Sequence, residues 1–366
     1  MKRRDTNDRD ALSVARDQID ELDAEILRLI SERAEVALEV ARIKRQTDSD
    51  ASCYRPEREA EVLRRVLTRN QGPLSEEEMA RLFREIMSAC LALEQPLKVA
   101  FLGPEGTFTQ EAVLKHFGHS VKAIALGAID QVFREVESGA TQYGVVPIEN
   151  STEGVVNHTL DMFLQSSLNI NGEVELRIHH HLLSTLDDVA RVERVYSHQQ
   201  SLAQCRGWLD SNLPQAERIA VSSNAEGARR AGGEDVAAAI AGDAAARTYS
   251  LQALRKNIED NPNNITRFLI IGRHRVPPSG FDKTSLVVSG RNQPGLLCRL
   301  LAPLAQNAIS MTRIASRPSQ LVNWEYVFFL DVEGHMDDGK LKPALHDLEK
   351  LGDLFKVLGS YPRAVL

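Results

Sequence analysis

Cysteine is scarce in this chain: Cys53, Cys90, Cys205 and Cys298 lie far apart, and no pair has C-x-x-C spacing. A disulfide framework and a cysteine zinc site are thereby excluded, and reduced cytosolic thiols are expected. Long apolar runs are missing as well. No stretch approaches the roughly eighteen residues of a membrane span, and the opening MKRRDTNDRD lacks the apolar segment of an export signal. A cytoplasmic protein with no membrane partner is expected. Surplus positive charge is absent too: the formal net charge is -7, and Lys2-Arg3-Arg4 is the one short basic run. That argues against a nucleic-acid partner. Neither a Walker A loop nor G-x-G-x-x-G occurs, so no nucleotide is expected.

What is present is length and pattern. The 366 residues suffice for three domains, which we place at 1–95, 96–275 and 284–366, with Val276-Pro277-Pro278-Ser279-Gly280 as linker. In the first, Leu12, Ile19, Leu22, Ile26, Leu29, Ile30, Val36, Ala37, Val40 and Ile43 recur at three- and four-residue steps. The spacing predicts one amphipathic helix of roughly 35 residues, about 50 Å long. A second helix follows Pro56 and a third follows Asn70-Gln71-Gly72-Pro73, with Ser75 as cap ahead of Glu78. So long a helix cannot bury its stripe against two shorter ones, so a partner chain is expected, as a homodimer or higher homo-oligomer. Arg33 and Lys44 share a helical face. Arg16 lies roughly 25 Å from Arg33 along the axis and about 100° round, and joins the same site only from a second subunit. On geometry alone all three also read as ordinary surface charges.

The pattern of Arg16, Arg33, Lys44, Arg55-Pro56-Glu57-Arg58-Glu59 and Leu82-Phe83-Arg84-Glu85-Ile86 before Glu94 resembles the all-helical chorismate mutase domain, an intertwined dimer. The resemblance implies that Arg33, with Arg16 of the second chain, binds the substrate carboxylates, that Lys44 donates to the ether oxygen, and that Glu57 accepts from the ring hydroxyl. Such a rearrangement needs a held conformer and donors aimed at the ether oxygen rather than a nucleophile. Two positions depart from the family. Cys53 replaces a frequent aspartate, and Glu94 replaces a glutamine that donates beside Lys44. Glu94 must then carry a proton to donate, so mutase activity is expected to fall as pH rises. Arg55 stands nearby with its direction open.

From Pro96 onward strands and helices alternate. Lys98-Val99-Ala100-Phe101-Leu102 reads as a buried strand entering Gly103-Pro104-Glu105-Gly106-Thr107-Phe108-Thr109, where glycines admit a ligand and the next helix start favours an anion. Gly144-Val145-Val146 delivers Pro147 and then Glu149-Asn150-Ser151-Thr152-Glu153-Gly154 to a strand tip, where open α/β sheets bind ligands. Ser151 or Thr152 equally reads as a helix cap there. Ser197 at another tip, Gln204 beyond it, and Asn263 to Ile271 with Thr266 and Arg267 add further polar ends. His179-His180-His181 puts two imidazoles on one strand face without a third zinc ligand, and reads as a solvated surface.

Together, Gly103 to Thr109, Val145 to Gly154, Ser197 with Gln204, and Thr266-Arg267-Phe268 resemble prephenate dehydratase. That implies two α/β subdomains akin to periplasmic binding proteins with the substrate in the crevice. It implies Thr266 as the essential hydroxyl and places Asn150, Ser197 and Gln204 in the cleft beside the oxygen-rich Ser151 and Thr152. Arg267 is expected to anchor a carboxylate or polarise Thr266.

After the linker, Thr284 to Ser289, Pro294 to Gln306, Ile309 to Ser316, Trp324 to Val332, Lys340 to Leu351 and Phe355 to Tyr361 read as βαββαβ, a ferredoxin-like α+β order. Asn292-Gln293-Pro294-Gly295-Leu296-Leu297 and Ala315-Ser316-Arg317-Pro318 resemble the amino-acid-binding motifs of the ACT domain. Gly295, Leu296, Ser316, Arg317 and Pro318 are the implied effector residues. Ala315 stands where the second motif usually opens with glutamate. The whole pattern resembles a bifunctional chorismate mutase–prephenate dehydratase, which implies chorismate and prephenate as substrates, phenylalanine as effector, and no metal or organic cofactor. Two rivals are a monofunctional dehydratase whose helices only dimerise it, and an amino-acid-sensing DNA regulator. The acidic charge and the long first helix disfavour the second.

Overall fold

The computed structural model describes residues 2–47, 54–318 and 326–365; Cys53, and Trp324 at the expected start of a strand, lie outside them. Three helices open the chain: α1 (Lys2–Thr47), α2 (Pro56–Arg69) and α3 (Glu76–Glu94). At 46 residues α1 exceeds the length expected from its apolar stripe, because charged helix formers prolong an existing helix without needing a buried face. Pro56 occupies the first turn of α2, and Ser75 caps α3 by accepting from the Glu78 amide at 3.2 Å. Among the described side chains of α1, those of its C-terminal part pack within the chain, where Ala41 is buried and Arg33, Ala37 and Lys44 are half-buried. Leu12, Ile19, Leu22 and Ile26 are more than half exposed. Among the described residues no helix is long and apolar enough to cross a membrane.

The middle of the chain forms two lobes. The first holds β1 (Lys98–Leu102), α4 (Phe108–Phe117), β2 (Lys122–Leu126), α5 (Ile129–Glu137), β3 (Tyr143–Asn150), β4 (Gly154–Val155), α6 (Asn157–Gln165) and β5 (Asn169–Arg177). The second holds β6 (His181–Ser184), β7 (Arg194–His198), α7 (Gln199–Gln204), α8 (Arg206–Asn212), β8 (Glu217–Val221), α9 (Asn224–Ala231), β9 (Ala237–Ala241), α10 (Asp243–Thr248) and β10 (Gln252–Arg255). The chain then returns to the first lobe as β11 (Ile265–Gly272), which inserts antiparallel between β3 and β5. The sheets run β2-β1-β3-β11-β5, with β4 paired to β3, and β10-β6-β9-β7-β8. The central parallel strands β1 and β9 are nearly all apolar, as burial on both faces requires.

The last unit contains β12 (Asp282–Ser289), α11 (Leu296–Gln306), β13 (Met311–Pro318), β14 (Tyr326–Glu333), α12 (Leu341–Leu351) and β15 (Leu354–Pro362), in sheet order β13-β14-β12-β15. One face of this sheet packs on its own helices through Leu286, Val288, Leu330 and Val332. The other face is not free. Val287, Val327, Phe329, Leu358 and Tyr361 join Val146, Ile148, Leu160, Phe163 and Leu269 of the first lobe in one continuous core.

The helical module, first lobe and C-terminal segment meet at a small junction lined by Tyr54, Glu59, Arg84, His116 and Val365. Glu59 lies 3.6 Å from Arg84, and burial, opposed by Arg84 and Tyr54, raises its pKa to about 7. Burial, helped by Arg84, lowers that of His116 to about 3. Between about 4.5 and about 7 the native Glu59 holds a proton that the unfolded chain has released. Its contribution is therefore complete below the lower value and lost as pH rises through the upper one. His116 acts oppositely, its contribution fading as pH falls from 6.5 toward 3. Subtracting wild type from a single variant isolates Glu59. In thermal unfolding, Glu59→Gln should gain stability relative to wild type as pH rises from 4.5 to about 7, and no more above; a pH-independent difference would contradict the assignment.

Candidate active site

Between the two lobes lies a cavity of 640 Å³. Its wall is made where strands end: Leu102 at the tip of β1 and Gly103 after it, Asn150 at the tip of β3, His198 at that of β7, Ser222 after β8 and Gly242 after β9. Thr266 lies at the same rim because β11 runs antiparallel and so begins where β3 ends. None of the lining residues is lysine or arginine, and Glu153 is the sole carboxylate among them. Positive potential comes instead from helix starts. Helix α4 opens beside Thr107, Phe108 and Thr109 with no side chain capping it, whereas α9 opens at Ser223 and Asn224 with the Ser223 Oγ accepting from the Glu226 amide at 3.0 Å. The uncapped start of α4 favours an anionic guest.

Cross-strand register sets Thr266 opposite Asn150. The Asn150 Oδ1 accepts from the amides of Thr152 and Glu153, both at 2.9 Å, which turns its nitrogen the other way. That nitrogen donates to Thr266 Oγ1 at 2.8 Å and to Asn264 Oδ1 at 2.7 Å. The Thr266 oxygen is thus an acceptor within the protein, and its own proton is free to be given to a group in the cavity. Glu153 reaches across to the other lobe, accepting from Gln200 and Gln204 at 3.2 Å each.

Several expected residues sit elsewhere. Ser151 bridges two strands, its Oγ accepting from the Ile265 amide at 2.9 Å, while Thr152 contributes its backbone amide and its side chain is exposed. Neither caps a helix, because the chain turns into β4 first. Ser197 is fully buried and lies behind the wall: its Oγ bonds the Ile240 carbonyl at 2.7 Å and Asn224 Oδ1 at 2.9 Å. It steadies Asn224, which does line the cavity. Gln204 is at the wall as expected. Arg267 is a correction. Strand alternation sends it to the opposite face from Thr266, where it bonds Glu173 at 2.7 Å, Asp331 at 2.6 Å and Tyr361 at 3.0 Å. It therefore neither anchors a guest in the cavity nor touches the Thr266 hydroxyl; Asn150 polarises that group instead.

The histidine run is a second correction. It begins where β5 ends, so residues 178–180 form the crossing between lobes rather than a solvated strand. His180 is 1 % exposed and His181 4 %. Because the Gln204 nitrogen faces Glu153, its Oε1 accepts from His180 Nε2 at 2.8 Å. The bare Nδ1 of His180 has no partner among the described residues, and burial, against the pull of Gln204 and Glu259, holds this histidine below its ordinary pKa. A sequence pattern marks such a run but not its burial, so His180 and Asn264, like Asn224 and Glu153, escaped the candidate set. Among the described residues no group of three or more His, Cys, Asp or Glu could hold a metal ion.

In the helical module, Arg33 and Lys44 lie on the α1 face that also carries Ala37 and Ala41, the face turned toward α3. Glu57 is buried in the first turn of α2, accepting from Arg55 Nε at 2.6 Å. At the end of α3, Glu94 Oε2 is buried without a partner among the described residues. Arg16 is exposed, far along the unpacked part of α1.

A separate concavity of 320 Å³ in the C-terminal unit is lined by Asn292, Gln293, Gly295, Leu296, Tyr326 and Phe328, among others. Gly295 starts α11 in the left-handed region, φ 79°, which a side chain would strain. Ser316 and Pro318 pair with Phe328 and Tyr326 and so share their side of the sheet without lining the concavity. Arg317, one residue out of phase, points to the first lobe and pairs with Asp161 at 2.9 Å, which removes it from that side.

Family models match along most of the chain: chorismate mutase type II over residues 15–95, prephenate dehydratase over 99–276, and the ACT domain over 284–350. A bifunctional chorismate mutase/prephenate dehydratase of Pseudomonas aeruginosa is 58% identical over 365 residues, covering 98% of this chain and 100% of that one. The protein of the same name from Escherichia coli strain K12 is 31% identical over 378 residues, covering 96% of each. Among solved structures, prephenate dehydratase from Arthrobacter aurescens in complex with L-Phe is similar with a TM-score of 0.68 at 33% identity, over 73% of this chain and 90% of that one.

Proposed function

The chain belongs to the family of bifunctional chorismate mutase/prephenate dehydratases, and we propose that it uses the residues above to carry chorismate through prephenate to phenylpyruvate in phenylalanine biosynthesis. We assign the mutase to residues 1–95, the dehydratase to 96–275 and effector binding to 284–366. The observation that carries the dehydratase reading is the Asn150–Thr266 pair at 2.8 Å on the cavity rim. Prephenate loses its ring carboxylate as CO₂ and its ring hydroxyl as water. The electron pair of the breaking C–C bond aromatises the ring, and the departing oxygen takes a proton. Asn150 orients Thr266 Oγ1 so that its hydrogen faces that oxygen, and the uncapped start of α4 meets the substrate's negative charge. His180 and Gln204 define the neutral, polar back wall.

For the mutase, breaking the ether C–O bond and forming the new C–C bond moves no proton, so the protein acts by holding the conformer and stabilising charge on the ether oxygen. Arg33 and Lys44 share the required face. Glu57, kept in place by Arg55, meets the ring hydroxyl, and Glu94 offers its buried oxygen to the ether oxygen when protonated. Arg16 acts from a second copy. The exposed apolar stripe of α1 supports a homodimer, since burying a leucine side chain contributes about 2 kcal/mol. Phenylalanine, which the Arthrobacter protein binds, fits the concavity at Gly295 and Leu296; its carboxylate would meet the uncapped start of α11. A cytoplasmic setting agrees with the free thiols of Cys90 and Cys205.

Two measurements check these roles. Thr266→Ala should lower turnover of prephenate by about 10²- to 10⁴-fold while chorismate consumption by the same protein is unchanged; near-normal dehydration would remove Thr266 from the mechanism. Glu94→Gln, which offers an amide N–H at the same buried position, should keep or raise chorismate turnover, and a loss of about tenfold or more would show that position 94 does not donate to the ether oxygen.

A further inference from the structure

The two strands that carry Asn150 and Thr266 have a second side. In register with the Asn150–Thr266 pair, the next cross-strand pair is Glu149 opposite Arg267, and both point away from the cavity toward the C-terminal sheet. Facing them is another cross-strand pair, Arg313 on β13 opposite Asp331 on β14. The charges match one to one. Arg313 Nε bonds Glu149 at 2.5 Å, and Arg267 Nη1 bonds Asp331 at 2.6 Å. Around Arg267 the grip is closed by Glu173, which also takes Lys283 at 2.7 Å, and by Tyr361, whose hydroxyl meets Ser285 at 2.8 Å. Ser285 in turn donates to the second Asp331 oxygen at 2.5 Å. Both Glu173 and Asp331 are about 4 % exposed, so the cluster is out of water and its geometry stiff.

We propose that Arg267 is a positioning residue for prephenate dehydration: anchored to Asp331 and Tyr361 of the C-terminal sheet, it fixes the β11 backbone and with it the placement of the Thr266 hydroxyl against Asn150. The inference rests on the dehydratase reading above. Thr266 and Arg267 are adjacent on one strand, so a shift of the guanidinium moves the peptide unit that carries the threonine. A sub-ångström displacement is sufficient to matter, because a misplacement of about 1 Å costs on the order of 10² in rate. The C-terminal unit thereby belongs to the dehydratase geometry even with no effector bound, and any rearrangement of β14 against β12 reaches Thr266 by this route.

The test uses the full chain, whose mutase activity reports folding independently. Asp331→Asn and Tyr361→Phe remove one anchor each while keeping size, and Arg267→Gln removes the hub. Asp331→Asn and Arg267→Gln should lower kcat for prephenate by about 10- to 100-fold, Tyr361→Phe by less, all with KM little changed and chorismate consumption intact. The Asp331→Asn/Arg267→Gln double variant should be no slower than the poorer single one, as expected for two residues acting through one contact. If Arg267→Gln fails to fold, the Asp331 and Tyr361 variants decide alone. Turnover within twofold of wild type for Asp331→Asn, a change confined to KM, or parallel loss of both activities would overturn the proposal. Wild-type protein inert toward prephenate would instead overturn the dehydratase reading itself.

Discussion

Antiparallel insertion of β11 between β3 and β5 is the constraint on which the rest of the molecule depends. The strand returns from the second lobe and starts at the rim where β3 ends, so residues more than a hundred positions apart become cross-strand neighbours. Pairing fixes Asn150 against Thr266 on one face and Glu149 against Arg267 on the other. With a side-chain period of two, slipping the register by one residue would send the hydroxyl into the domain interface and the guanidinium into the cavity. A register shift follows at once, where β3 carries Ile148 as an extra residue. One face of this ladder thus borders the cavity and the other the C-terminal sheet.

Among the described residues no lysine or arginine lines the cavity. If prephenate occupies it as proposed, the dianion meets a helix start and amides whose orientation is set by the fold, and such dipoles need no rearrangement when charge moves in the reaction. Lysine or arginine at the wall would bind substrate and the leaving groups' region alike, whereas a polarised threonine addresses one oxygen. The neutral imidazole of His180, bonded to Gln204 and thence to Glu153, ties the crossing between lobes to the opposite rim. The shape of the crevice and the hydrogen-bond order within it are therefore set by the same few contacts.

The three units are less separable than their linkers suggest. The open face of the C-terminal sheet is buried in one core with the first lobe, where burying each large apolar side chain contributes about 1.5 to 3 kcal/mol. Charged pairs at Glu149–Arg313, Asp161–Arg317 and Arg267–Asp331 then fix its orientation. The helical module touches the first lobe through α3 and α4 and the C-terminal sheet through α2 and β15, and among the described residues most of α1 is left uncovered.

Much of this was legible in the amino-acid order. Apolar period marked the long helix; Pro56 and Ser75 marked helix starts; and the strand-to-glycine transition located the rim at Gly103. The order βαββαβ of the last unit followed from alternating runs alone, because these signals are local and depend on neighbours within a few positions. The motif around Thr266 and Asn150 likewise named two residues that the fold brings together. What the chain could not reveal was direction across a pleat and burial in a crossing. Arg267 looked like a ligand for an anion because it adjoins Thr266, yet adjacent strand residues face opposite ways and its partners come from β5, β14 and β15. His180 looked solvated because imidazoles in a row suggest a surface, yet burial depends on what packs over the segment from elsewhere. Ser197 and Arg317 differ from expectation for the same reason: local order sets which groups are available, and only long-range packing decides which of them meet the substrate.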